Sequence, residues 1–396
     1  MKRSSLQFPV VDSEGFLSSL EFMWKEGWFD EFSSNHFLIQ VLENRLSNLP
    51  WLTQLLSNNS RSIYSPINPN GTINYKNFTT NFLYNFAQRM QSMLNAFGKE
   101  EMEKFVIDQL SAGKDKYDEN QFFEALSEIE ILSFFSSRGK WDNIVYEPPT
   151  GSNASNPEAS FEKQQGESSS IKLNIEVKTP NFVLKKSDNS NLLIPCVMLT
   201  DEGRNQIDAL CKEYDVTYIA PRVTKLVDFI NSAAKKFQEP KNGELNLLYI
   251  NWSYSEYPIN SFIEAWRILT NQDNGIMVHP SFGQQLPFKQ PILKEAYEKI
   301  SAIIVYTSSL EQLMFNDFSY VWQGTDEAIG KRFRVLLLDK NISPQTLFSC
   351  IQMNPSDPLR DTMKVLANLN QDEFTRFVPF IPKFETIITS NVLKVE

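Results

Sequence analysis

One stretch constrains this chain more than any other: SIKLNIEVKTP, residues 170–180. Ile171, Leu173, Ile175 and Val177 alternate with Lys172, Asn174, Glu176 and Lys178. A period of two sustained over that length predicts a half-buried β-strand, and Pro180 ends it. Such a strand must bury its apolar side against a second layer. The chain has the material for one. Hydrophobic residues make up 41% of its 396 positions, with 30 Phe, 13 Tyr and 7 Trp, which excludes a disordered chain or a polar fibre.

Further strand patterns are WDNIVYEPP (141–149), LNLLYINW (245–252), KISAIIVYTS (299–308) and FRVLLLD (333–339). Each is a β-branched or apolar run with turn residues at its bounds. Helical spacing appears in DENQFFEALSEIEILSFFSSRG (118–139), where Asp118 is the expected N-cap with Gln121 three residues on. It appears again in DEGRNQIDALCKEYD (201–215), in RVTKLVDFINSAAKKFQ (222–238) and in SFIEAWRILTNQ (261–272). Strands interleaved with helices predict an α/β fold with a mixed sheet. Residues 1–117 read as a mostly helical N-terminal region, 118–252 as the core, and 253–396 as an α/β C-terminal extension. The Ser/Asn-rich segment 151–170 is expected to be a loop holding at most one short strand.

Elimination narrows the chemistry. Three widely spaced cysteines (Cys196, Cys211, Cys350) write neither a disulfide framework nor a cysteine zinc site. Two histidines cannot build a histidine cage, and no Walker-type, dinucleotide-binding or nucleophile-elbow motif is present. Carboxylates and lysines are the groups left to carry a reaction. The net charge of −10 argues against non-specific coating of nucleic acid, yet a carboxylate site for divalent cations is itself acidic. The opening residues lack the apolar stretch of a secretory signal, and no run approaches the roughly 18 apolar residues of a membrane span. The expectation is a soluble, cytoplasmic protein.

On the alternating strand, Glu176 and Lys178 leave the same face about 7 Å apart. A carboxylate beside a lysine can hold a hard divalent cation and position a water, the parts that phosphodiester hydrolysis needs. A second acid, Glu158, follows Pro157, and a hairpin would bring it to Glu176. Glu162 is a rival for the same place, and Glu128 offers a third acid from the preceding helix. Each also has a plain reading: Glu176 and Lys178 as a solvated strand face, Glu128 as an exposed helix acid, Glu158 as a loop residue, and Lys235-Lys236 as cations at a helix C-terminus.

Helix with Glu, strand, Pro-acid, strand ending in Glu-x-Lys, helix and strand together resemble the core of the PD-(D/E)xK nuclease superfamily, the restriction-endonuclease-like fold. The matched positions are Glu128, Pro157-Glu158 and Glu176-Val177-Lys178, within about residues 118–252. The resemblance implies Mg²⁺ (or Mn²⁺) held by Glu158, Glu176 and the Val177 carbonyl, with Lys178 orienting the attacking water and Glu128 assisting. It also implies substrate contacts from Lys225, Lys235 or Lys236 on the next helix. The nucleic acid is DNA before RNA, as in restriction and phage-defence nucleases, with a protein partner or a homo-oligomer left open. The Pro-acid pair carries Glu where Asp is usual, which keeps a catalytically inactive binding or scaffold module in play.

Overall fold

A computed structural model describes residues 2–10, 12, 15–45, 75–114, 116–138, 140–149, 155–164, 170–180, 191–193, 209, 212–213, 217–219, 223–252, 261–270, 275–284, 291–306, 308 and 333–338. The helix expected over 201–215 falls almost wholly outside them. The N-terminal region supplies helices α1 (Ser18–Lys25), α2 (Phe37–Leu42), α3 (Tyr75–Phe97) and α4 (Lys99–Phe105). Helix α5 (Glu119–Arg138) leads into strands β1 (Asn143–Tyr146), β2 (Ala159–Gln164) and β3 (Ser170–Lys178). Short strands β4 (Asn191–Leu193) and β5 (Thr217–Ile219) pair with each other, parallel, apart from the main sheet. Helix α6 (Val223–Lys236) and strand β6 (Glu244–Asn251) follow, then α7 (Ser261–Thr270), α8 (Pro280–Gly283), α9 (Lys294–Lys299), β7 (Ala302–Tyr306) and β8 (Phe333–Leu337).

The main sheet is six-stranded and mixed, in the order β1-β2-β3-β6-β7-β8. Strands β1, β2 and β3 run as an antiparallel meander, β3, β6 and β7 are parallel, and β8 is antiparallel to β7. The α/β architecture expected from the sequence is therefore present. The sheet does not stop at residue 252: β7 and β8, within the expected C-terminal extension, continue it directly.

Helices cover both faces. On one face Phe161, Leu173, Ile175, Val177, Leu247 and Tyr249 pack with Leu126, Ile129 and Phe135 of α5. The same buried cluster runs on into Trp24, Phe37 and Phe86, so the N-terminal helices share a core with the sheet. On the other face Leu248, Ile250, Ile303 and Val305 pack with Leu226, Val227 and Ile230 of α6 and Trp266 of α7. This second layer overturns the half-buried expectation for β3. Its polar side lies under helical cover as well, and Asn174 and Glu176 are buried.

Asp118 does cap α5, accepting the Asn120 N–H at 2.8 Å. The reciprocal half of a capping box is missing, because the Asp118 N–H donates to the Ala112 carbonyl instead. In the N-terminal region, His36 is fully buried and holds two elements together. Its Nδ1 accepts the Leu38 N–H at 3.1 Å, capping α2, while Nε2 lies 2.9 Å from the Leu110 carbonyl. Those partners require a neutral ring with the proton on Nε2, since a protonated Nδ1 would point a donor at a donor. Burial, with a smaller contribution from Arg3, lowers its pKa from 6.5 to about 4 against the raising effect of the Leu110 bond.

The unfolded chain takes up the proton near pH 6.5 and the folded one does not until about 4. His36 therefore contributes stability in full above pH 6.5, and that contribution is lost as pH falls towards 4. At about 1.4 kcal/mol per pH unit the loss is roughly 3 kcal/mol. In urea unfolding, the stability gap between the wild type and His36→Gln should narrow by roughly that amount between neutral pH and pH ~4. A pH-independent gap would show that the ring is not held neutral.

Candidate functional site

The site forms where β2 begins and β3 ends. The antiparallel register pairs Ala159 with Ile175, so one step further out Glu158 stands across from Glu176. Ala159 and Ile175 both face the α5 layer. By alternation, Glu158 and Glu176 share the opposite face, under α6. Pro157 precedes the acid as a buried residue. The chain beside it is pinned too: Glu147, in a left-handed conformation (φ 44) at the exit of β1, donates its N–H to the Glu158 carbonyl at 2.9 Å.

Two lysines meet these acids. Lys178 reaches back along its own strand, with Nζ 2.6 Å from Glu176 Oε1. Lys236, the last residue of α6, places its Nζ 3.1 Å from Glu158 Oε1 and 2.9 Å from Glu176 Oε1. One ammonium thus bridges two carboxylates that are 5% (Glu158) and 0% (Glu176) exposed. Burial raises the Glu158 pKa and the charge of Glu176 adds to it, while Lys236 and Lys178 oppose both. For Lys236 burial alone would lower the pKa, but the two glutamates outweigh it and the net shift is upward. The Glu176 Oε2 atom is sealed from solvent and has no hydrogen-bond donor among the described residues.

Glu128 approaches from α5. Its Oε2 is closed off without a donor among the described residues. Burial, then the charge of Glu158, pushes its carboxyl well above the usual range against the pull of Lys236 and Lys178. Ser127, the neighbouring residue, accepts a hydrogen bond from Asn251 Nδ2 at 3.1 Å, which ties α5 to the end of β6. Tyr146 closes β1 beside the same acids, and burial, then Glu128, Glu147 and Glu158, raises its phenol pKa.

The other sequence candidates separate cleanly. Glu162 pairs with Lys172 in the β2–β3 register, four residues along the strand from Glu158 and so about 13 Å away. The geometry favours Glu158 over its rival. Val177 buries its side chain in the α5-side core, leaving only its backbone to offer. It sits where β3 has run past its pairing with β2 but still pairs with β6. Lys225 is exposed, its Nζ 4.8 Å from the centre of the Phe229 ring. Lys235 is exposed as well, and of the three α6 lysines Lys236 is the one that the structure shows paired with Glu158 and Glu176.

Sequence reasoning missed the polar layer one step below. Asn174 Nδ2 donates to Asn246 Oδ1 at 2.8 Å, and Asn246 Nδ2 donates to the Gln238 and Lys299 carbonyls at 2.7 Å each. Gln238 lies two residues beyond Lys236, so this bond fixes where α6 ends and where Lys236 starts. The signal was a lone asparagine inside the apolar run 245–250. Glu124, one turn before Glu128, was also missed. Burial raises its pKa, with Lys225 and then Lys178 opposing.

Two of these acids would offer a divalent cation a partial seat. Glu158 and Glu176 converge, and two carboxylates with waters suffice for Mg²⁺. Among the described residues no group of three acidic, histidine or cysteine side chains is arranged to hold a metal. The residues fit a hard cation between two glutamates, in the position that the Lys236 ammonium fills.

Removing one partner from a buried ionic cluster leaves the others uncompensated. Lys236→Met should lower stability by roughly 3–5 kcal/mol in urea unfolding at neutral pH. Adding Glu158→Gln should recover part of that loss, giving a double variant less destabilised than the sum of the singles. Strict additivity would place these groups in open water.

Among the described residues, no helix is long and apolar enough to cross a membrane. No family model, no curated protein and no solved structure matches this chain.

Proposed function

We propose that the chain is a metal-dependent nuclease with a restriction-endonuclease-like core, hydrolysing phosphodiester bonds in DNA before RNA. The observation that carries this reading is the facing of Glu158 and Glu176 across two antiparallel strands, with Lys178 one pleat away on the same face. The order α5, β1, β2, β3, α6, β6 around that pair supports it. Glu158 and Glu176, with the Val177 carbonyl, are the groups that would hold Mg²⁺ or Mn²⁺. Bound there, the ion would neutralise charge developing on the scissile phosphate and acidify a water. Lys178 would orient that water through its ammonium. Glu128, whose carboxyl pKa burial and Glu158 push upward, would assist from α5 within the same charged cluster.

A second reading is a nuclease fold used for binding alone. The favouring observation is the ionic cluster, in which Lys236 pairs with one oxygen of each acid without a metal.

The purified chain should cut linear or supercoiled DNA when Mg²⁺ or Mn²⁺ is added, and not in chelator. Glu176→Ala and Lys178→Ala should each lower the rate by about 100-fold or more. Metal-dependent cutting that survives both substitutions would place the chemistry elsewhere. DNA binding without cutting, unchanged by metal, would favour the second reading.

A further inference from the structure

We propose that Lys236 is a built-in gate on the cation seat. In the metal-free chain its ammonium occupies the place between Glu158 and Glu176, and a divalent ion enters only by expelling it. This rests on the reading of the two glutamates as cation ligands and adds to it how the seat is controlled.

Three observations carry the inference. The first is position: a single Nζ lies 3.1 Å from one carboxylate and 2.9 Å from the other, so it sits between them and not beside one. The second is charge. Glu158 and Glu176 face each other in a buried layer, and two like charges there need a counter-cation to coexist. Lys178 serves Glu176 at 2.6 Å. Lys236 gives the Glu158 carboxylate both a hydrogen bond and an ion pair, so that acid relies on it. With both lysines in place the four groups balance to zero. A divalent ion entering without any departure would leave an excess of two positive charges in that layer.

The third observation is freedom to move. Lys236 is the last residue of α6 and 19% of its side chain is exposed, so its long stem has a path outward. The backbone behind it is fixed, with Phe237 buried and the Gln238 carbonyl bonded to Asn246. The side chain can therefore swing while the helix stays. Lys235, its neighbour, is exposed. A singly charged ion gains nothing by replacing an ammonium of equal charge, so the gate admits divalent ions selectively.

The test uses the full wild-type chain and Mn²⁺ as the probe. Amine-reactive labelling read by mass spectrometry should show Lys236 becoming about fivefold or more reactive as Mn²⁺ saturates the protein. Lys172, whose Nζ lies 3.6 Å from Glu244, should not change. By calorimetry near pH 8, Lys236→Met should bind Mn²⁺ about tenfold more tightly than wild type, because one positive charge beside the ion is gone. Should that variant not fold, the labelling of the wild type decides alone. Saturable Mn²⁺ binding with unchanged Lys236 reactivity, or weaker binding by Lys236→Met, would overturn the gate and leave the nuclease reading standing. Absence of Mn²⁺ binding in wild type and variant alike would overturn the metal-dependent reading, and the gate with it.

Discussion

Two carboxylates buried face to face are the constraint from which the rest of this structure follows. Isolated, each would cost several kcal/mol to hold ionised away from water. The fold meets that cost with two ammonium groups delivered from different directions, Lys178 along the strand and Lys236 from the end of the covering helix. Lys236 can bridge the two acids because the sheet register sets Glu158 opposite Glu176. The register in turn depends on Ala159, Phe161, Leu173 and Ile175 facing the α5 layer, because a slip of one residue would turn the acids into the apolar core.

The layers serve this arrangement unequally. The α5 side is a large apolar cluster shared with the N-terminal helices and provides rigidity. The α6 side mixes an apolar half, over β6 and β7, with a polar half over β2 and β3. Asn246 joins the halves. It sits on β6 opposite Asn174 and bonds the backbone just after α6, at Gln238, and at the last residue of α9, Lys299. An asparagine at this point satisfies carbonyls at helix ends that would otherwise be buried without donors. The charged layer thus rests on a second polar layer whose hydrogen bonds fix its geometry.

Much of the fold was legible because its signals are local. The alternation over 170–178 gives β3 to within a residue, and 3.6-residue spacing gives α5 and α6. The Glu158–Glu176 pairing was legible because a short connection between two strands leaves a hairpin as the simple geometry. What local pattern does not encode is cover. Whether the polar side of β3 meets water or a helix depends on where α6 crosses the sheet, after 44 intervening residues (179–222). For the same reason the choice among Lys225, Lys235 and Lys236 could not be read from spacing. Helical rotation of about 100° per residue separates Lys235 from Lys236, and only docking decides which one turns inward. The continuation of the sheet into β7 and β8 was likewise hidden, since strand patterns do not announce their partners.

A crystal grown with Mn²⁺, phased at the manganese absorption edge, addresses the whole account in one experiment. An anomalous peak between Glu158 and Glu176, with the Lys236 side chain turned away from both, is the result required. A peak bound elsewhere, or Lys236 still bridging the two acids in crystals whose manganese lies at another site, would contradict it.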